Sequence, residues 1–317
     1  MSPCPRTPTP DAGVPSATPA PAAPPAVAAD AYYALGAGHV ICQDFALAGT
    51  SRRGEPYAIV SDGCSSARHS EFGARLLAAV ARRELQRSAP LDVGRALRVA
   101  WHLGHELGLP PSCLDATLLQ ASLHAGRVQC LFAGDGVLAG RRRDGTLEAW
   151  AIEVPSGAPP YLSYLLEPGR LAAYLATRPE RRIRHWRGRA APAETGAEEH
   201  SWLERITPGP PAAGLDPSEP VEGFVRRFDL AQGDFELVML LSDGATSFGR
   251  VAPDEPSRRC EPVPLAAVLA QLLTIPSTRG EFVVRRCRRF LVSFCREHGW
   301  QHHDDLAVGA IGWGAGS

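Results

Sequence analysis

Four short apolar runs set the pattern of this chain, and each abuts an acidic residue. Tyr57-Ala58-Ile59-Val60 leads into Ser61-Asp62-Gly63, and Val128 to Phe132 leads into Ala133-Gly134-Asp135-Gly136. Phe235 to Leu241 leads into Ser242-Asp243-Gly244, while Asp304-Asp305 opens the run Leu306 to Ile311. Runs this short, rich in Val, Ile, Leu and Phe, predict buried strands. Between them apolar residues recur at helical spacing. Phe72, Leu76, Leu77 and Val80 predict one helix, with Ser70 as its N-cap. Val93, Leu97, Ala100, Trp101, Gly104 and Leu107 predict a second, and Leu265 to Leu273 a shorter one. Val283, Cys287, Phe290, Leu291 and Phe294 predict a late helix that Gly299 stops. Asp144-Gly145, between Leu138 and Leu147, predicts a hairpin. Helices fall in pairs between strands, which favours α+β layers over a doubly wound parallel sheet.

Two stretches depart from this pattern. Nine Pro and eight Ala occupy 17 of the first 29 positions. Such a segment buries too little to offset its ordering entropy, so residues 1–30 are expected to form a disordered tail and residues 31–317 the domain. Residues 155–220 are weakly patterned and are expected to form an insertion over the core. It holds a helical candidate, Tyr161 to Leu175, then an Arg-rich run: Arg181, Arg182, Arg184, Arg187 and Arg189. That run reads as a solvated helix; docking of an acidic phosphoprotein is the other reading.

Charge removes several functions. The chain has 317 residues, 33 basic and 34 acidic, for a net charge of -1. All 33 basic residues are Arg. The balance excludes a nucleic-acid binder that works by bulk positive charge. The missing Lys excludes Schiff-base chemistry and the P-loop, which need an ammonium. No apolar run approaches 18 residues, so no membrane span is expected, and no leader-like apolar stretch opens the chain. Eight Cys, with no C-x-x-C pair, fit reduced thiols in a cytoplasm better than a disulfide or zinc framework.

The acids beside the strands carry the candidate chemistry. Asp-Gly alone is a common turn dipeptide, as Asp144-Gly145 illustrates. A carboxylate at the end of a buried strand, however, lies at the sheet rim, where loops carry function. Several on one rim repel each other unless a cation compensates. Hard oxygen donors, with no His or Cys at metal spacing, point to Mg²⁺ or Mn²⁺ rather than Zn²⁺.

The order of these motifs resembles the metal-dependent protein serine/threonine phosphatases of the type 2C family, in particular a bacterial branch. The residues that carry the resemblance are Gly38-His39-Val40-Ile41-Cys42-Gln43-Asp44, Val60-Ser61-Asp62-Gly63-Cys64-Ser65-Ser66-Ala67 and Phe72-Gly73-Ala74-Arg75. Asp115-Ala116-Thr117-Leu118, Ala133-Gly134-Asp135-Gly136, Leu240-Leu241-Ser242-Asp243-Gly244-Ala245-Thr246 and His303-Asp304-Asp305-Leu306-Ala307-Val308 follow in the family's order. The resemblance spans residues 35–312. It implies a four-layer α-β-β-α sandwich of two antiparallel sheets flanked by helix pairs, with a dinuclear Mn²⁺ or Mg²⁺ site at one end. On that resemblance Asp62 would bridge both metals and the Gly63 carbonyl would bind one. Asp243 and Asp304 would bind the other, and Asp44 would hold metal-bound water. Asp135 would help bind a third, weaker metal.

The implied activity is hydrolysis of phosphoserine and phosphothreonine in proteins by metal-activated water, without a phosphoenzyme. The implied partner is a phosphorylated protein of a Ser/Thr kinase pathway, met by a cytoplasmic monomer that needs neither nucleic acid nor membrane. Two features depart from the family. Cys64 stands where many relatives have a His proposed as general acid; it reads as a small turn residue, since no Cys-x5-Arg phosphate cradle follows it. No Arg lies between Arg6 and Arg52, where many relatives place a phosphate-gripping Arg. Arg52 or Arg53 could reach in to grip phosphate, but they read first as solvated hairpin-loop residues; His39 or His69 could substitute for the missing His, but each reads first as an ordinary polar residue. The His302-His303 pair reads as family loop variation, since adjacent side chains diverge on a strand. These gaps motivate the alternative, a pseudophosphatase that binds phosphoproteins without turnover.

Overall fold

The computed structural model describes residues 27–87, 90–155, 157–189, 198–207, 219–250 and 260–313. Most of the expected tail, and parts of the expected insertion, lie outside them. In chain order the elements begin with β1 (Val27–Ala34), β2 (Phe45–Thr50), β3 (Pro56–Ser61), α1 (Ser70–Leu85) and α2 (Val93–Glu106). Then come β4 (Leu118–His124), β5 (Arg127–Ala133), β6 (Gly136–Arg142), β7 (Thr146–Glu153), α3 (Pro168–Ala176), β8 (Glu180–Arg189) and β9 (Glu198–Arg205). The chain continues through β10 (Val225–Ala231), β11 (Phe235–Leu241), β12 (Phe248–Arg250), β13 (Glu261–Pro262) and α4 (Leu265–Leu272). It ends with α5 (Phe282–Arg288), α6 (Cys295–His298), β14 (Trp300–His302) and β15 (Leu306–Trp313). A π-helical turn, Arg289–Phe294, joins α5 to α6.

Two antiparallel sheets stack. One has the order β1-β15-β11-β6-β7-β8-β9, the other β10-β5-β4-β3-β2. Ile59 and Leu131 turn outward from the second sheet, while Ala58, Val60 and Phe132 turn inward. That alternation is the period-2 consequence of a strand covered on both faces. The inward set meets Leu138, Val238, Leu240 and Ile311 of the larger sheet to form the inter-sheet core. Helices α1 and α2 cover the outer face of the smaller sheet. Helices α4 and α5 cover the outer face of the larger one. The four-layer sandwich expected from the sequence is therefore present.

Several local expectations are corrected. The first helix opens at Ser70, but the cap position is His69, in a left-handed conformation at φ 64°. Phe72 is more than half exposed, because the buried face runs instead through Gly73, Ala74, Leu77, Ala78 and Ala81. The Arg-rich run is no helix. It is strand β8, paired with β7 and β9. Acids on those neighbours fix it there: Glu153 accepts from Arg184 Nε at 3.0 Å, and Arg181 lies opposite Glu204. The Tyr161 to Leu175 candidate splits at Pro168 into a 3-10 turn and α3. The Asp144-Gly145 hairpin forms, with Asp144 Oδ1 accepting from Thr146 N at 2.9 Å and Gly145 at φ 80°.

Helix α1 rests directly on the backbone of the loop before β4. A Cβ added at Gly73 would lie 1.6 Å from the Cys113 carbonyl oxygen. An interior Gly→Ala change in a helix normally stabilises by about 1 kcal/mol. Here the sign should reverse, since neither backbone can yield: Gly73→Ala is expected to cost about 1–3 kcal/mol in urea unfolding. A stabilised Gly73→Ala protein would show that this packing is looser than described.

Candidate active site

Strand register brings the motif acids to one end of the sandwich. Phe45 pairs with Ser61, so Asp44 and Asp62 leave adjacent strands side by side. Leu241 pairs with both Val308 and Val137, so Asp243 lies beside the start of β15 and the start of β6. Asp135 immediately precedes the start of β6, and Asp304 lies two residues before the start of β15. The tight turn at Gly134 and Gly136, at φ 107° and 134°, carries the chain from one sheet to the other and leaves Asp135 at the crossing. Thr117 pins the Asp62 backbone from both sides: Asp62 N donates to Thr117 Oγ1 at 3.0 Å, and Thr117 N donates to the Asp62 carbonyl at 2.8 Å. Gly63 bridges to Ala116 and packs on the Ser70 carbonyl, which leaves no room for a side chain.

Two further contacts lock the rim. Asp44 is buried, and its Oδ2 accepts a 2.6 Å hydrogen bond from Ser242 Oγ, so the two sheets are tied through the site. The same Ser242 Oγ accepts from Ala307 N at 2.9 Å. Asp305, which is 2% exposed, is a structural tie and no open donor. Its Oδ1 accepts from Gly36 N at 2.8 Å, and its Oδ2 accepts from Gln43 N at 2.6 Å. The loop that delivers Asp44 is thereby fixed to the strand that delivers Asp304. His39 joins this corner, with Nδ1 3.1 Å from Asp305 Oδ2 and 3.5 Å from Asp304 Oδ1. Its pKa is raised, first by Asp305.

The electrostatics record crowding. Burial, then the charges of neighbours, raises Asp44, Asp62, Asp135 and Asp243. Asp44 is pushed up to about 7 and Asp135 to about 8. Asp62 rises well above the carboxylate range, with Asp44, Asp243 and Asp135 all contributing after burial. Asp243 rises through burial and Asp304. Among the described residues, no group of three or more His, Cys, Asp or Glu side chains is arranged to hold a metal ion. The donor set nevertheless suits a hard cation: it is all carboxylate and carbonyl oxygen, and among the described residues His39 is the cationic side chain that pairs with its acids. A cation at this rim would draw on Asp44, Asp62, Gly63, Asp135, Asp243 and Asp304. A small cavity of about 170 Å³ opens beside them, lined by Asp135, Gly136, Glu153, Asp243 and Thr246.

The structure also brings in residues that the sequence did not single out. Glu153 adds to the field on Asp135. Tyr161 is buried, with its phenol beside the Cys64 thiol and within the field of Asp62 and Asp135, and its pKa is raised chiefly by burial. Arg170 Nη2 donates to Asp115 Oδ2 at 2.7 Å, and Ser163 Oγ donates to Asp115 Oδ1 at 2.6 Å. The Asp115 carbonyl in turn accepts from Cys64 N at 2.8 Å. Tyr161 and Arg170 carry no motif signal, because they reach the Cys64 corner from a weakly patterned segment. Other sequence candidates stay away. Arg52 and Arg53 sit at the tip of the β2–β3 hairpin, at the opposite end of those strands from Asp62. His302 and His303 diverge, Nε2 of one lying 3.1 Å from the Leu35 carbonyl and Nε2 of the other 3.4 Å from Cys260 Sγ.

Comparison with known proteins adds to this geometry. The family model described as protein phosphatase 2C matches residues 37–156, which include Asp44, Asp62 and Asp135. No curated protein matches the chain. Among solved structures, the serine/threonine phosphatase Stp1 from Staphylococcus aureus is similar at a TM-score of 0.50 and 11% identity, over 90% of this chain and 95% of that one. The S. agalactiae serine/threonine phosphatase gives a TM-score of 0.45 at 13% identity, over 91% and 100% of the two chains. PppA of Pseudomonas aeruginosa gives 0.43 at 17% identity, over 91% and 98%. The family-model match over residues 37–156 and the likeness of fold to Stp1 make the chain similar to the type 2C protein phosphatases.

The raised acids make a prediction for the cation-free protein. A folded state whose carboxylates titrate near 7 and 8 holds protons that the unfolded chain releases near 4. Stability in EDTA should therefore fall as pH rises from about 4 through about 8. Urea midpoints at pH 5 and pH 8 test this; a midpoint at pH 8 equal to or above that at pH 5 would contradict it. Asp62→Asn should flatten the slope.

Proposed function

We propose that the chain hydrolyses phosphoserine and phosphothreonine in proteins, dependent on Mn²⁺ or Mg²⁺, with water as the nucleophile and no phosphoenzyme. The convergence of Asp44, Asp62, Asp135, Asp243 and Asp304 on one rim carries this reading. Asp62 and the Gly63 carbonyl, with Asp243 and Asp304, would hold two cations, and Asp135 would help to hold a third, weaker one. When bound, such cations supply Lewis-acid activation of water and neutralise charge on the phosphoryl group.

The chain's own groups prepare that chemistry. Ser242 holds Asp44 facing the rim, where its carboxylate can orient water and take up a proton. Asp305 keeps the Asp44 and Asp304 segments in one register. Tyr161 closes the Cys64 corner with a buried phenol, which removes water from one wall and offers an O–H donor. No Cys or Ser need act as nucleophile. A binding module without turnover has no need of five mutually repelling carboxylates.

The purified chain is expected to release phosphate from phosphothreonine peptides with Mn²⁺ and not with EDTA. Asp62→Ala and Asp243→Ala should each lower turnover by at least about 100-fold, on the scale of losing a metal-assisted step. Calorimetry should show weaker Mn²⁺ binding in both. Tight Mn²⁺ binding without turnover would favour the binding module, and unchanged Mn²⁺ binding in both variants would remove the metal assignment.

A further inference from the structure

At the far end of the sandwich from the acids lies an arginine-lined cleft. Three observations place it there. Thr278 packs on Gly312, near the end of β15. Arg141, near the end of β6, donates through Nη1 to the Leu273 and Ile275 carbonyls at 2.9 and 3.1 Å. Both strands begin at the acidic rim, so the cleft is roughly 20 Å away, at about 3.3 Å per strand residue. The cleft has a volume of about 360 Å³ and is lined by Thr274, Ser277, Arg285, Arg286 and Arg289 over a floor that includes Phe282.

The cations here are uncompensated. The ion pairs among the described residues are made elsewhere, and Arg285, Arg286 and Arg289 enter none of them. Their hydrogen bonds go to neutral oxygens. Arg285 Nη2 donates to the Arg279 carbonyl at 2.6 Å, and Arg286 Nη2 to Gln271 Oε1 at 3.1 Å. Each guanidinium has five donors, so most remain for a ligand. Of the acids nearby, Asp30 from β1 is already taken, its Oδ2 accepting from Val283 N at 2.6 Å and from Val284 N at 3.2 Å; Glu236 pairs with Arg141, and Glu281, at the N-terminus of α5, forms no ion pair with these arginines among the described residues. Arg286 is half-buried, and burial lowers its pKa, so the cluster holds its charge at a cost that an anion would relieve.

We infer that this cleft binds a phosphorylated segment of a protein partner, at a docking site remote from the acidic rim. The choice of a phosphoprotein rests on the phosphatase reading; the anion preference rests on the cleft alone. Guanidinium forks match phosphate oxygens two at a time, and Thr274 and Ser277 add hydroxyl donors. Arg285 and Arg289, one helical turn apart, spread the charge over about 6 Å, which suits spaced anionic groups on an extended peptide better than one small ion. A nucleotide base finds no aromatic face, because Phe282 is buried at 1% exposure.

The test is binding in EDTA, where the rim repels anions and nothing turns over. Fluorescence anisotropy of a labelled peptide with two phosphoserines is measured on the full chain. The phosphopeptide is expected to bind at least tenfold tighter than its unphosphorylated form. Arg285→Gln with Arg289→Gln should remove most of that gain, while Arg296→Gln keeps it and all the proteins share one unfolding midpoint. Equal binding of both peptides, or full affinity in the double variant, overturns the proposal. Displacement by inorganic pyrophosphate at matching concentration also overturns it, since the cleft would then select a free phosphate. Mn²⁺-dependent turnover of a small aryl phosphate should be unchanged in the double variant. Loss of docking with turnover intact, or the reverse, separates failure here from failure of the phosphatase reading.

Discussion

Repulsion among carboxylates at one rim is the constraint around which the rest of this structure is arranged. Asp44, Asp62, Asp135, Asp243 and Asp304 would separate if their segments were free. They cannot, because each continues or precedes a strand that the core holds. Strands β3, β11 and β15 are buried almost throughout, so moving one acid would mean dragging apolar side chains toward water. At about 25 cal/mol per Å² of apolar surface, several such side chains outweigh a few carboxylate repulsions. The inter-sheet core thus holds a site that would not hold itself.

Hydrogen bonds then set the finer geometry. Ser242 serves both an acid and a backbone, accepting from Ala307 N and donating to Asp44. Asp305 does the complementary work of an acceptor, taking two backbone N–H groups from the loop before β2. Removing its carboxylate would leave those donors buried without partners, which costs about 1–3 kcal/mol each. Adjacent acids in the chain therefore have opposite tasks. Asp304 faces the rim, and Asp305 faces the protein.

Much of this was legible in the sequence, for one reason. A buried strand followed by Asp-Gly writes its fold and its chemistry in consecutive residues, so the four runs and their acids could be read together. The helix pairs were legible through their 3.6-residue period, although Phe72 was misplaced because small residues pack closest to the sheet and the large one is left outside. The Arg-rich run misled because its partners are distant: Glu153 and Glu204 lie on neighbouring strands, and cross-strand pairing leaves no trace in local spacing. Tyr161 and Arg170 were invisible for the same reason. The near-zero net charge was the least informative number, since acids gather at one end of the sandwich and unpaired arginines at the other.

The two departures from the type 2C pattern look different in space than along the chain. The position after Asp62-Gly63 is Cys64, and no arginine precedes the first acidic motif. Yet the Cys64 corner is not short of proton donors or of cations. Tyr161 places a phenol against the thiol, and Arg170 is anchored by Asp115, whose carbonyl takes the Cys64 amide. Arg170 also keeps Nη1 buried without a partner among the described residues. A buried guanidinium nitrogen with an unused donor is costly unless something anionic arrives to meet it. Here Asp115 already takes Nη2, and the segment from Tyr161 to Ala176 packs mainly on the outer-face cluster of the smaller sheet, so Arg170 holds the Cys64 corner together through Asp115.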